Sequence, residues 1–234
     1  MAHSTPPETG QLWSAVRNIL PLAFGVATYG LAFGLLAAQA GMDGLQTGLM
    51  GTFVFAGSSQ IVLVERLVAG AGAMTAVLAG VALNMRLLLI TASLRDELSG
   101  RPLWQIVLGL HMATDENWAL LHTARNQGRN VGYWYLVGGG LCLLVTWVTS
   151  TVIGANFARA FPDPQAIGMD FAFTAAFIAL LRGLWRGATR DLAPWVVSAA
   201  TAVIAVLLTP LDPSWALVIA GTVGAITAGI RPDA

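Results

Sequence analysis

The chain is a succession of long apolar runs separated by short polar punctuation. Windows with no charge or almost none cover residues 19–40, 44–64, 67–94, 102–124, 130–158, 164–181, 192–211 and 213–230. A helix needs about 20 mostly apolar residues to cross the hydrocarbon core of a bilayer. The windows therefore predict up to eight spans. The weakest are 102–124, which carries Asp115 and Glu116, and 164–181, which carries Asp170. Backbone N–H and C=O groups find no water in hydrocarbon, so only helices or closed barrels cross it. Runs such as Leu141-Cys142-Leu143-Leu144-Val145 do not alternate as barrel strands do. The expected fold is all-α: a polytopic transmembrane helix bundle of seven or eight helices, with at least one helix broken. Residues 1–18 read as an N-terminal cytoplasmic tail, 19–230 as one transmembrane domain and 231–234 as a C-terminal tail.

Composition agrees with this pattern. Of 234 residues, 56% are hydrophobic and only 10% are charged, against roughly 25% charged in soluble domains. That leaves too little polar surface for a compact soluble enzyme. The 26 glycines suit helices whose backbones pack closely in lipid. Net charge is zero, so no global field attracts nucleic acid. The single cysteine, Cys142, lies inside an apolar run; it can form no internal disulfide and reads as a small hydrophobe. Ala38-Gln39-Ala40 resembles a signal-peptidase box, but the stretch before it is too long and contains Pro21, so it reads as the first span.

Loops are short, and arginines in short loops set orientation. With eight crossings and a cytoplasmic N-terminus, Arg17, Arg66, Arg125, Arg129, Arg182, Arg186, Arg190 and Arg231 fall inside, while Arg95, Arg101 and Arg159 fall outside. That imbalance favours a full span over 102–124. Trp104, Trp134, Trp147, Trp185, Trp195 and Trp215 mostly sit near predicted ends, as an interfacial belt would. No internal period is evident.

Ionisable and polar groups inside spans cost about 2.5–3.5 kcal/mol each for the charged ones, and they mark functional positions. Four places carry them. Phe55-Ala56-Gly57-Ser58-Ser59-Gln60 lies in the middle of the second window, where Gly57 and the serines weaken the helix and Gln60 adds a donor and an acceptor. A break there would expose backbone groups able to hold a small zwitterion; the plainer reading is a small-residue helix contact. Asn84-Met85-Arg86 follows. Asn84 and Arg86 point to opposite sides unless the helix unwinds, and Arg86 either clamps an anion, pairs with an acid or snorkels to the interface. His111, Asp115 and His122 share one face of a continuous helix, with Glu116 facing a neighbouring direction. Such groups build proton relays, but they also serve as a static ion pair with Arg86 or as wet interfacial acids. Their spacing is not that of a zinc site. Asp170, in Gly168-Met169-Asp170-Phe171, suits the positive end of a helix dipole. No cofactor or metal motif is present, and neither Gly-x-Ser-x-Gly nor His-Glu-x-x-His occurs to support an intramembrane hydrolase.

In order, Pro21 with Gly25, Phe55–Gln60, Asn84-Met85-Arg86, Thr114-Asp115-Glu116 and Gly168–Phe171 with Phe177 resemble the AzlC family of branched-chain amino acid exporters, over roughly residues 12–230. The resemblance implies an inner-membrane exporter of valine, leucine or isoleucine, with methionine as a further candidate cargo. It also implies coupling to protons and a smaller membrane subunit of the AzlD type. From their placement in the spans, Phe55, Gly57, Ser58, Ser59, Gln60 and Asn84 are expected to bind the substrate, with Phe53, Phe55 and Phe173 holding its side chain. Arg86, His111, Asp115, Glu116 and Asp170 are expected to balance charge or carry protons. The family often has His after the Arg of Asn-x-Arg; here Leu87 stands there. The absence of a phosphate-binding loop argues against an ATP-driven permease. A passive channel or a scaffold subunit is the competing class.

Overall fold

A computed structural model of the chain describes residues 8–84, 86–160, 187–211 and 213–230. All regular elements among them are helices, as the apolar runs require. They are α1 (Glu8–Gln39), α2 (Gly44–Val54), α3 (Gly57–Val68), α4 (Ala73–Asn84), α5 (Arg86–Ser93), α6 (Arg95–Leu98), α7 (Leu103–Met112), α8 (Asp115–Asn126), α9 (Tyr133–Ala160), α10 (Ala188–Leu208) and α11 (Pro213–Ile230). The chain divides into two compact units, residues 1–176 and 177–234.

In the first unit, α1 and α9 run side by side in the same direction. At one end, the Gly132 amide donates to Gln11 Oε1 at 3.2 Å and Asn18 Nδ2 donates to the Tyr135 hydroxyl at 2.9 Å. At the other end the backbones nearly touch. A Cβ on Gly34 would lie 2.2 Å from the Thr151 carbonyl oxygen, and one on Gly154 would lie 2.3 Å from that of Leu31. Gly30 and Gly34 form a Gly-x-x-x-Gly face, the means by which helices approach when dispersion alone holds them in lipid. Midway along, Trp147 of α9 lies under Phe33 and Tyr29 of α1, with ring centroids 5.5 and 5.9 Å apart. Trp147 is 3% exposed, so it is a core residue and not part of the expected interfacial belt; Trp104, 59% exposed, suits a belt better.

The expected second span, 44–64, is not one helix. Asp43 caps α2 through a reciprocal pair with Gln46, and α2 descends antiparallel to α9. Gly44 sits against Asn156, Gly48 against Val152 and Gly51 against Trp147. The helix stops at Val54. Gln60 Nε2 then donates to the Met50 carbonyl at 2.7 Å. In a continuous helix ten residues rise about 15 Å, so the chain reverses at Phe55-Ala56. From there α3 leads away and α4 returns antiparallel to it, with Gly80 against Ser59 and Leu63. The expected third span is described as α4 up to Asn84 and α5 from Arg86. Beyond it, Leu94 and Leu98 join Ala15, Tyr133, Tyr135 and Leu136 in the core at the Gln11 end.

The expected fourth span, 102–124, also reverses. The Tyr133 hydroxyl donates to the Gln105 carbonyl at 2.7 Å, near the start of α7. At its far end a Cβ on Gly140 would lie 2.2 Å from the Met112 carbonyl oxygen. The chain turns at Ala113-Thr114, and α8 comes back. Arg125, in its last turn, donates to the Val131 carbonyl and pairs with Glu97 Oε1. Arg101 lies 4.0 Å over the Tyr133 ring. The start of α7 and the end of α8 are thus at the same end of the unit. Helices of 10 to 12 residues rise about 15–18 Å, half the hydrocarbon thickness. The windows 44–64 and 102–124 are therefore two hairpins entering from opposite ends. Apolar length fails to show this because it carries no direction.

In the second unit, α10 and α11 pack antiparallel, with Gly224 against Ser198 and Pro194. Among the described residues, three helices are long and apolar enough to cross a membrane: Thr9–Gln39, Tyr133–Ala158 and Asp191–Leu208. Large side chains such as Phe24, Phe53 and Leu208 stand more than 70% exposed, a surface suited to lipid and not to water.

Two measurements check this arrangement. In a Cys142→Ser background reconstituted in vesicles, Ser99→Cys and Gln127→Cys should react with impermeant maleimide from one side, and Met42→Cys and Ala71→Cys from the other. Labelling of positions 99 and 127 from opposite sides would restore a full fourth span. Gly140→Ala should lower the melting temperature through about 1–3 kcal/mol of overpacking against Met112. Gly25→Ala, where a Cβ meets nothing within 4 Å, should leave it unchanged or raise it.

Candidate functional site

The two hairpin tips meet in the middle of the first unit. Phe55, at the end of α2, and His111, in the last turn of α7, have ring centroids 6.1 Å apart. Phe55, with Leu120 and Cys142, packs on Ile19, Ala23 and Leu143, an apolar floor supplied by α1 and α9. Beside Phe55 the first turn of α3 reaches the α4 terminus: Ser59 Oγ donates to Asn84 Oδ1 at 2.9 Å. The helix interruptions at Phe55-Ala56 and Ala113-Thr114, and Asn84 of α4, are tied together by these contacts.

The tips differ in their chemistry. No side chain caps the first turn of α3, whose N-cap is Ala56 and which opens Gly57-Ser58-Ser59. Its first N–H groups have no intrahelical partner, and the helix dipole puts partial positive charge there. The first turn of α8 is capped: the Thr114 amide donates to Asn117 Oδ1 at 2.7 Å, and the Asn117 amide donates to Thr114 Oγ1 at 3.4 Å. It also carries Asp115 and Glu116, both half-buried. One tip thus offers amide donors, and the other carboxylates that the α8 dipole favours.

Several expected site residues are brought together: Phe55, Gly57, Ser59 and Asn84 around the first tip, and His111, Asp115 and Glu116 around the second. The reversal at Ala113-Thr114 separates His111 from Asp115 and His122, so these three do not share one helical face. His122 packs instead on Trp118, 4.7 Å between centroids, whose indole donates to Ser93 Oγ at 2.8 Å. Phe53 is 75% exposed and does not line the floor beneath Phe55. Arg86 opens α5, but its side chain lies outside the described part of the structure, as do Asp170 and Phe173 altogether. Among the described residues no group of three or more His, Cys, Asp or Glu could hold a metal.

Gln60 is the surprise among the expected residues. It is 0% exposed, and its amide is engaged at both ends. Nε2 donates to the Met50 carbonyl, and Oε1 accepts from Trp147 Nε1 at 2.8 Å. Asn117, which received no role from the sequence, is bound as fully: Nδ2 donates to the Met112 carbonyl at 2.6 Å and to the Leu136 carbonyl at 3.0 Å. The available signal was its place three residues after Thr114, the spacing of a capping box.

Comparison with known proteins bears on this arrangement. The family profile described as AzlC protein matches residues 21–161, from within α1 to the end of α9 and through both hairpins. An uncharacterized membrane protein of Helicobacter pylori strain J99 is 28% identical over 78% of this chain and 79% of its own length. The inner membrane protein YgaZ of Escherichia coli K12 is 28% identical over 75% of this chain and 74% of its own. The branched-chain amino acid transport protein AzlC of Bacillus subtilis is 26% identical over 75% of this chain and 70% of its own. No solved structure matches. A match through more than half of the chain, containing both tips and the helices that carry them, makes this protein a member of the AzlC family of membrane transport proteins.

Proposed function

We propose that the protein is a secondary transporter that exports branched-chain amino acids (valine, leucine and isoleucine, with methionine as a further cargo) from the bacterial cytoplasm. It works with a small AzlD-type membrane subunit and draws on the proton gradient. The observation that carries this reading is the meeting of two oppositely directed hairpin tips over an apolar floor. Interrupted helices at the bilayer midplane are how transporters present backbone groups to a zwitterion. A relative bearing the name of a branched-chain amino acid transport protein narrows the cargo.

The uncapped first turn of α3, with Ser58, Ser59 and Asn84, takes the substrate carboxylate; Asp115 and Glu116 across the gap attract its ammonium group and exchange protons. Phe55, Leu143 and Ile19 take the aliphatic side chain. Such a pocket separates valine from isoleucine weakly, since one methylene is worth about 1–3 kcal/mol. Arg86 offsets the acids, and Asp170 is a second charge-balancing candidate.

Charge supports the orientation. With both hairpins returning to the end they enter from, Arg17, Arg95, Arg101, Arg125 and Arg129 gather at the Gln11 end of the first unit. Only Arg66 and Arg159 fall at the other. Regrouped in this way, the arginines still support a cytoplasmic N-terminus under the positive-inside rule. Arg66 changes sides from the eight-span reading, as do Arg95 and Arg101.

Proteoliposomes holding this chain and its neighbouring subunit should exchange labelled valine in counterflow with saturation. A channel would do neither, and an absence of exchange with a pH gradient of either sign would overturn the reading. Asp115→Asn or Glu116→Gln should keep counterflow but lose accumulation driven by a pH gradient. Asn84→Ala should raise the apparent KM by about tenfold, the loss expected for one hydrogen bond to a charged group.

A further inference from the structure

The two hairpin tips are written in a common frame. Phe55-Ala56-Gly57-Ser58-Ser59-Gln60 and Met112-Ala113-Thr114-Asp115-Glu116-Asn117 both place Ala second and a carboxamide sixth. In each, the reversal falls at or beside the Ala and the carboxamide lies in the first turn of the outgoing helix. Each carboxamide reaches back to a carbonyl near the end of the incoming helix, Met50 for Gln60 and Met112 for Asn117. Each also engages α9, Gln60 through the indole of Trp147 and Asn117 through the carbonyl of Leu136. Those two α9 positions are eleven residues, about 16 Å, apart. The hairpins approach α9 from opposite ends, so the two devices are inverted copies on one shared helix. Inverted pairs are a common plan in transporters, even where one sequence shows no repeat.

A helix end strands its last carbonyls, and Asn117 answers that of Met112; Gln60 adds a bond to the Met50 carbonyl one turn inside α2, and each amide adds a link to a neighbour. Gln60 and Asn117 are 0% and 1% exposed, with their amide groups consumed by these links. Neither is available to a ligand, and both fix the backbone on which the neighbouring groups stand. We propose that Gln60 and Asn117 are a matched pair of positioning residues: each pins one hairpin tip to α9, and together they set how Phe55 and His111 meet, beside which cargo binds. The meeting point as a cargo site rests on the transport reading above; the pinning does not.

Hydrogen–deuterium exchange of the full protein in nanodiscs separates the two. Gln60→Leu should speed exchange over residues 50–61 by about tenfold and leave 110–118 as in the wild type; Asn117→Leu should do the reverse. Trp147→Phe, which keeps the ring packing and removes only the donor to Gln60 Oε1, should loosen 50–61 as well. It provides the readout if the leucine variants fail to fold. In valine counterflow, each variant should raise the apparent KM by about tenfold while maximal exchange falls less than threefold. A residue that served stability alone would lower the amount of active protein and leave KM unchanged. Wild-type exchange at both tips, protection lost evenly across the first unit, or an unchanged KM beside active counterflow would each overturn the proposal. Should the wild type show no valine counterflow, the transport reading falls, and the exchange pattern alone then decides whether the two amides pin the tips.

Discussion

A helix that stops inside hydrocarbon must find partners for the carbonyls and amides its own turns no longer serve. Every distinctive feature of the first unit follows from how that requirement is met. At Ala113-Thr114 the answer includes Asn117, which serves the Met112 carbonyl and the Thr114 amide; at Phe55-Ala56 Gln60 links the α2 carbonyl of Met50 to the indole of Trp147. Each solution uses a polar side chain within a few residues of the interruption and joins it to another helix. The interruptions are thus both the costliest places in the fold and the places where its helices are tied together.

The glycines perform the complementary task. Gly34 and Gly154 bring α1 and α9 to backbone contact, Gly140 admits the Met112 end of α7, and Gly57 admits the rim of Trp147. A tip can be held at the centre only if the helix it leans on has no side chain in the way. Polar amide and missing Cβ therefore occur as partners: Gln60 with Gly57 at one tip, Asn117 with Gly139 and Gly140 at the other. On the proposed reading, the cost of burying these amides is offset by a site whose backbone donors are fixed before cargo arrives, so little ordering remains for binding to supply.

Much of this was legible in the sequence. The apolar windows gave the helices, and the Phe55–Gln60 stretch marked one of the interruptions, because glycine, serine and a buried carboxamide are costly in a lipid-embedded helix. Direction was not legible. A window of 21 to 23 apolar residues fits one crossing or two half-crossings equally well, and the deciding contacts, Gln60 with Met50 and Arg125 with Glu97, are tertiary. The same blindness put His111, Asp115 and His122 on one face, since helical spacing has meaning only along an unbroken axis. Trp147 was misread for a related reason: an indole is at home at the interface, yet it is equally suited to a buried site that offers its N–H an acceptor.

The shared heading of α1 and α9 has a consequence of parity. Two neighbours pointing the same way require an odd number of traverses between them, and a hairpin counts as none. Within the first unit the return journey therefore falls to α4 and α5. Excising either hairpin would leave the heading of everything downstream intact, whereas inserting one more traverse would turn α9 upside down.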